Sequence, residues 1–598
     1  MSSDQQTCSH PNCQNQKLHI QRTVSRYPTG ILLGQPIIKH RIKKCPLCKR
    51  EYHFEQLPYL IPPGGNYAYD IIIYIGKARF RHHQQNIEIQ KKLLHQFKLS
   101  IPESTINTLA HTFIDHFTAV HFEKTNDIAQ LIKKNGGYVA HFDGTCEAGT
   151  DVLFSAIDEI SGIVLLTTRM TSENLNEVKQ FFTKCRDLYH HPLAIMRDLS
   201  TNYKPAIKEV FEDVVDLICQ YHFLEAAGKS LMKTTHQQLT GIIRKLEVKK
   251  SFKSIRKKLL QAANDNPSIT SGKLEQFIKN PDIDIDSMCQ LDIDQNVLQK
   301  HLTYFILRWI DDYSSELKGE YFPFDQPALV YSRRCVKVYD LLTQLLDEAN
   351  QLNKKQKQTL STISRNLEPF KKDKTLRQVT NRLEKQVNLF NQLRDILRFN
   401  RADKTPILRQ HAPDSSTIEE VEEIEKRLKQ FREDLDLKLK TNSKKKDPDI
   451  VCIINYLDKY MDQLTGHLVP VSKPGKDEII LLDRTNNLSE QSFSKVKKRW
   501  RRKLGVKKLT RHLHAARDEE LLLDNLDQPD YIKIVYDGSL DNMSSLFATY
   551  CHEAKRIRKL RNNREEKRSL PIGKKLLRKS NVLPEVIEAL RTVVLKVA

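Results

Sequence analysis

Three carboxylates stand where strands and a helix would gather acids. They are Asp143 in Phe142-Asp143-Gly144-Thr145, Asp198 in Arg197-Asp198-Leu199-Ser200, and Glu490 in Thr485-Asn486-Asn487-Leu488-Ser489-Glu490. Carboxylate oxygens are hard ligands that hold Mg2+ while leaving water positions open. Two such ions about 3.5–4 Å apart stabilise both the attacking and the leaving oxygen of an in-line phosphoryl displacement. The chemistry these acids point to is phosphodiester cleavage. Each also has a structural alternative: Asp143 before Gly144 suits a turn, Asp198 suits a helix cap, and Glu490 with Asn487 suits an Asn-x-x-Glu capping box. A second set is made of thiols. Cys8 and Cys13 form a C-x4-C pair, and Cys45 and Cys48 a C-x2-C pair in Lys44-Cys45-Pro46-Leu47-Cys48-Lys49-Arg50. Two such pairs fit a tetrahedral four-thiolate zinc site in which each forms a knuckle. His10 and His53 are nearby substitutes, and four unrelated thiols are the alternative.

Hydrophobic periodicity supplies the elements that must position these groups. In residues 1–60, Val24, Ile31-Leu32-Leu33 and Ile37-Ile38 are broken by Pro28-Thr29-Gly30 and Gly34, the pattern of short strands and turns in a zinc ribbon. Arg22, Arg26, Lys39, Arg41, Lys43 and Lys44 make it basic. Residues 66–130 carry helical spacing in three segments, the last with Ile106, Leu109, Phe113, Ile114 and Phe117. A helix-turn-helix satisfies this pattern, and so does plain three-helix packing. In residues 136–225, strands are expected at Tyr138–Thr145, Asp151–Asp158, Ile163–Thr168, Leu193–Met196 and Val214–Ile218, with helices after the third and fourth. The order βββαβαβ is that of a ribonuclease-H-like core, in which Asp143 and Asp198 leave central strands at one rim. Residues 226–475 read as an all-helical insertion. Residues 476–512 return to strand character at Ile479–Asp483, followed by a basic helix whose Phe493, Val496, Trp500 and Leu504 form an inner stripe while Glu490, Lys497 and Arg501 share another face. Residues 513–598 read as helical and basic. The expected fold class is multidomain α+β: a ribonuclease-H-like mixed core interrupted by a large all-α insertion, with an N-terminal zinc ribbon and helix-turn-helix.

Composition narrows the class further. The chain has 598 residues with 97 Lys+Arg against 74 Asp+Glu, a formal net charge of +23, and that length implies several domains. An apolar fraction of 39% excludes a wholly disordered chain. The polar start Met1-Ser2-Ser3-Asp4-Gln5-Gln6 lacks a signal-peptide pattern, and the longest apolar run, Ile71–Ile75, is far short of a membrane span. No membrane association is expected. Eleven cysteines, mostly scattered, suit a reducing compartment rather than a disulfide framework. The positive excess suits a polyanionic partner, because each Lys or Arg placed on a phosphate releases condensed counterions.

The segments Tyr138–His222 and Leu482–Arg502 resemble a DDE transposase with a ribonuclease-H-like core and a helical insertion before the final Glu, similar to Mutator-like and hAT-type transposases and bacterial insertion-sequence relatives. The resemblance rests on Phe142-Asp143-Gly144-Thr145, Arg197-Asp198-Leu199-Ser200, the Cys219-x-x-His222 motif after the fifth strand, and Thr485-Asn486-Asn487-x-x-Glu490 running into Lys497-Lys498-Arg499. It implies that Asp143, Asp198 and Glu490 form a catalytic triad holding two Mg2+ or Mn2+ ions, with Asp143 bridging both. It implies Cys219 and His222 as active-site neighbours, and Lys497, Lys498, Arg499, Arg501 and Arg502 as DNA contacts beside a structural Zn2+ module. The implied reaction is metal-dependent cleavage at the ends of a mobile element followed by 3′-hydroxyl attack on target DNA, by a homodimer or higher oligomer. The implied location is the cytoplasm or nucleoid of a prokaryote, or the nucleus of a eukaryote. A transposase-derived DNA-binding regulator without catalysis and another ribonuclease-H-like nuclease are the alternatives.

Overall fold

The computed structural model describes residues 5–13, 16–52, 57–147, 150–264, 271–279, 295–317, 319–348, 354–399, 410–411, 413–441, 447–568 and 582–597. His53, the linker 442–446 and the basic stretch 569–579 lie outside the described residues. The fold is a mostly helical α+β arrangement with a mixed sheet. Among the described residues no helix is long and apolar enough to cross a membrane. The chain divides into two compact units. One comprises Met1–Leu217, Val469–Ile480 and Asn486–Ala598; the other comprises Ile218–Leu468 and Leu481–Thr485.

At the start of the first unit, β1 (His19–Arg26) pairs antiparallel with β2 (Ile38–Lys44), and β3 (Glu51–Tyr52) adds to β2. Strand β1 is exposed along nearly its whole length, and the apolar burial of this sheet is small: Ile38 and Ile42 of β2, the former in a cluster with Leu57, Ile61 and Ala68. Its small buried group is Cys8, Cys13, Leu18, Cys45 and Tyr52. So little burial makes a cross-link at the thiols the natural source of order.

Helices α1 (Tyr69–Gly76), α2 (Asn86–Phe97), α3 (Glu103–Glu123) and α4 (Thr125–Lys134) follow. Helix α1 packs on α3, and the ring of Phe113 fills the space a side chain at Gly76 would need. From Phe113 to His121, α3 is buried on all sides. A helix in that position is a core element, and its exposed residues are Glu103, Ser104, Thr108 and Glu123. Against it lies α9 (Cys551–Arg568). The buried Asp115 of α3 accepts hydrogen bonds from Arg517 at 2.7 Å, from Arg558 at 2.9 Å and from Arg561. One hydrophobic core runs without a break from Tyr69 through the sheet to Phe547. Buried residues of 69–132 and of 509–547 belong to this one core together with those of the sheet.

The sheet holds β4 (Val139–Thr145), β5 (Val152–Asp158), β6 (Val164–Met170), β7 (Ala194–Arg197) and β8 (Val215–Ile218) in the order β6-β5-β4-β7-β8. Strands β4, β5 and β6 are antiparallel neighbours, and β7 lies parallel to β4. Helix α5 (Leu175–Tyr189) follows β6 and α6 (Tyr203–Val210) follows β7, the element order read from the sequence. Phe142 and Phe154 pack against Phe181, Phe182, Tyr203 and Phe211 on one face. The β6 edge is closed by Asn525, whose Oδ1 accepts from the Val164 N–H at 2.7 Å and whose amide donates to the Val164 carbonyl at 2.9 Å. Capping an edge in this way removes a template for strand addition.

In the second unit, α7 (Gln220–Lys245) opens a series of helices that closes with Pro448–Leu464. Its two chain ends meet. The Gln220 N–H donates to the Arg484 carbonyl at 3.0 Å, the Arg484 guanidinium donates twice to Gln220 Oε1 at 2.9 and 2.7 Å, and Gln220 Nε2 donates to the Leu464 carbonyl. The chain therefore returns where it left. A hairpin of β9 (Leu468–Lys473) and β10 (Lys476–Leu481), and then α8 (Asn487–Leu504), complete the elements that matter for the site.

Candidate functional site

Parallel pairing of β4 with β7 sets Phe142 opposite Arg197, so the next residues, Asp143 and Asp198, leave neighbouring strands at the same rim. Asp143 is 8% exposed. It accepts the Gly144 N–H on Oδ1 at 2.7 Å. Burial pushes its carboxyl well above the usual carboxylate range, and the charges of Asp198, Glu173 and Glu490 push it further. The charges of both other acids expected from the sequence thus act on Asp143. Arg197, 1% exposed, sets the strand end beside Asp198: it grips Asp216 with two bonds of 2.7 Å and donates to the Asp198 carbonyl at 3.0 Å.

The start of α8, the helix that carries Glu490, is tied to this rim by a buried polar chain. Glu159 Oε2 lies 2.8 Å from His141 Nε2, and His141 Nδ1 lies 2.9 Å from Asn486 Oδ1. The Asn486 amide donates to the Phe142 carbonyl and to Asp198 Oδ1, each at 3.5 Å. His141 and Asn486 are fully buried. Because Asn486 is the N-cap of α8, the latch fixes the first turn of that helix, and with it Glu490, to the Asp-bearing strand. The capping-box alternative is overturned by the same geometry. The cap is Asn486 rather than Asn487, no side chain bonds the cap, and Glu490 stands at the fourth helical position, its N–H donating to the Asn486 carbonyl at 3.2 Å.

Sequence reasoning did not single out Glu173 or His141, and Asn486 entered only as part of the string leading to Glu490. For Glu173 a signal existed: β6 runs in the same direction as β4, so an acid just past its end arrives at the same rim as Asp143 and Asp198. For the latch none did, since His141 and Asn486 are far apart in the chain. Cys219 and His222 lie in the first turn of α7, Cys219 buried as its N-cap.

On α8, Phe493, Val496 and Trp500 are buried as the inner stripe requires, whereas Leu504 is exposed. Trp500 Nε1 donates to Glu520 at 2.7 Å. Lys498, Arg501 and Arg502 face solvent, together with Lys507 and Lys508, and Lys497 is half-buried. Arg499 differs from these in its surroundings. It is half-buried and paired with Asp524, which commits its charge inside the protein.

The thiols of Cys8, Cys13, Cys45 and Cys48 lie within 4.8 Å of one another, three of them buried, with Cys8 and Cys48 Sγ 3.6 Å apart. Tetrahedral ligands at the usual zinc–sulfur length of 2.3 Å stand about 3.8 Å from each other. The group could therefore hold a metal ion such as zinc. Burial raises both Cys8 and Cys13. Hydrogen bonds from the Tyr52 hydroxyl, the His10 N–H and the neighbouring thiols bring Cys8 down to about 6, whereas those neighbours carry Cys13 further up, to about 12. Sulfurs this crowded cannot all be thiolates unless a cation joins them. The His10 N–H bonds Cys8 Sγ at 3.5 Å, as in a metal knuckle.

Compared with family models and with curated proteins, the chain matches none.

Proposed function

We propose that this protein is a metal-dependent polynucleotidyl transferase of the DDE transposase type, built on a ribonuclease-H-like core. The observation that carries the reading is the latch through Asn486, which ties the start of the helix bearing Glu490 to the strand bearing Asp143, where the charges of Asp198 and Glu490 both act. The donor set fits hard divalent cations: carboxylate oxygens, one of them buried and raised by its neighbours' charge, at the carboxyl ends of parallel strands. Asp143, Asp198 and Glu490 would hold Mg2+ or Mn2+. Bound there, such ions activate a hydroxyl or water nucleophile and neutralise charge developing on the phosphate. The chain's own residues set the frame. Arg197 and Asp216 fix the strand end that carries Asp198, and His141 and Asn486 fix Glu490.

The partner is double-stranded DNA, met by the basic N-terminal module, by the exposed part of α2 and the first turn of α3 acting as a helix-turn-helix, and by Lys498, Arg501 and Arg502. Zinc is the ion assigned to the four-thiolate ribbon. The test is cleavage, in Mg2+ or Mn2+, of DNA carrying the sequences that flank the coding region. Asp143→Asn, Asp198→Asn and Glu490→Gln each abolish cutting and leave DNA binding intact. Cutting by all three variants at the wild-type rate rejects the reading.

A further inference from the structure

The acidic rim holds a residue that the three-acid scheme leaves without a role. Glu173 follows β6 and approaches the end of β4 from the face opposite to Asp143. Its carboxylate lies where a Cβ on Gly144 would stand, so the absence of a side chain at Gly144 is what lets it come close. The Tyr203 hydroxyl, on a residue 1% exposed, donates to Glu173 Oε2 at 2.8 Å. The Asn202 amide donates to the Glu173 carbonyl at 2.7 Å. Both backbone and carboxylate are therefore held, with Oε2 engaged by Tyr203 and Oε1 turned to Gly144.

The ordinary structural duty at this place is already filled. Asn174 is the N-cap of α5 and accepts the Glu177 N–H at 3.0 Å, while Glu177 returns to the Thr171 N–H at 2.8 Å. Glu173 is not needed to start the helix. Two further observations point to a ligand at Asp143. Asp143 is nine-tenths buried, and among the described residues nothing donates to its Oδ2. On the neighbouring strand, in register with Asp143, Ser155 is 1% exposed, and among the described residues its hydroxyl has no hydrogen-bond partner.

We propose that Glu173 is a fourth carboxylate of this site, which holds a divalent cation jointly with Asp143 and Asp198, and that Tyr203 decides which of its oxygens is offered. This rests on the reading of the cluster as a cation site. It adds a ligand that the resemblance does not supply, contributed from the other face of the sheet.

The test measures cation binding rather than turnover. Mn2+ and Mg2+ are titrated by calorimetry into the metal-stripped full chain after the N-terminal thiols have been loaded with zinc. Melting is followed with and without each ion. In Glu173→Gln the affinity falls about tenfold or more, the melting temperature without ion rises because one repelling charge is gone, and the rise on adding ion shrinks. In Tyr203→Phe, which retains the ring packing, the affinity falls by less and in the same direction. A purely structural Glu173 gives the opposite melting result, with Glu173→Gln less stable without ion and unchanged in affinity, and that outcome overturns the proposal. If wild type and Asp143→Asn both bind no ion at this site, the underlying reading falls with it. If Asp143→Asn abolishes binding while Glu173→Gln binds as wild type, only the role of Glu173 is lost.

Discussion

Replacing Asp143 by Asn should stabilise the metal-free protein, and the size and pH dependence of that gain follow from where the residue sits. Asn keeps the shape and still accepts the Gly144 N–H, so packing and that hydrogen bond are conserved. What changes is charge in a nine-tenths buried place. Neighbouring strands lie about 4.8 Å apart, and two carboxylates at about 5 Å in an effective dielectric near 20 repel by about 3 kcal/mol. A ceiling comes from linkage. The folded state can lose no more than 2.303RT for each pH unit above the unfolded pKa near 3.9, which is about 4 kcal/mol at pH 7. The expected gain at pH 7 is thus about 3 kcal/mol.

The sign is fixed by the direction of the shift. Because the folded Asp143 is raised, first by burial and then by Asp198, wild type keeps its full stability below the unfolded pKa and loses it as pH rises towards the folded value. The advantage of Asp143→Asn is therefore absent near pH 3.5, grows above pH 4 and is large at neutrality. Melting in EDTA across pH 3.5–8, with both proteins side by side, reads this directly. Adding Mg2+ at pH 7 should raise wild type and leave the variant unmoved. A variant no more stable than wild type at pH 7 in EDTA, or equally more stable at pH 3.5 and pH 7, would refute the electrostatic crowding on which the site rests.

Three further outcomes test other parts of the structure. Asn486→Ala removes one of the two hydrogen-bond partners described for the fully buried His141, so it should cost about 1–3 kcal/mol of stability and slow cleavage about 100-fold by loosening Glu490 while DNA binding holds; unchanged cleavage would separate the latch from the site. Cys45→Ser in the full chain should release about one equivalent of zinc and expose β1–β3 to protease, measured by metal analysis and limited digestion; zinc content equal to wild type rejects the four-thiolate ion. Paired Lys498→Ala and Arg502→Ala changes should reduce the slope of log DNA affinity against log salt by about one to two units, whereas Arg499→Ala, which strands Asp524, should lower the melting temperature with little effect on that slope.

The sequence by itself determined the strands, the buried helices and the order of the acids, because these are recorded in local pattern. The apolar runs ending at Asp143 and Asp198 mark strands from their own residues, and the parallel register that sets Phe142 opposite Arg197 then follows from βα succession. The paired cysteines were legible for the same reason: each knuckle is a few residues long. The tertiary structure alone decided the rest. That Asn486 bonds His141, that Arg499 spends its charge on Asp524, and that Asn525 closes the β6 edge are contacts between residues hundreds or tens of positions apart, and no periodicity records them. The extent of the core is a similar case. The amphipathic faces of 66–130 and 513–547 are visible in the sequence, but which surface covers them is a matter of volume and complementarity across the whole unit. Glu173 lies between the two. Its strand end was legible, and its place beside Gly144 was settled only when β6 ran parallel to β4 and Tyr203 took hold of one oxygen.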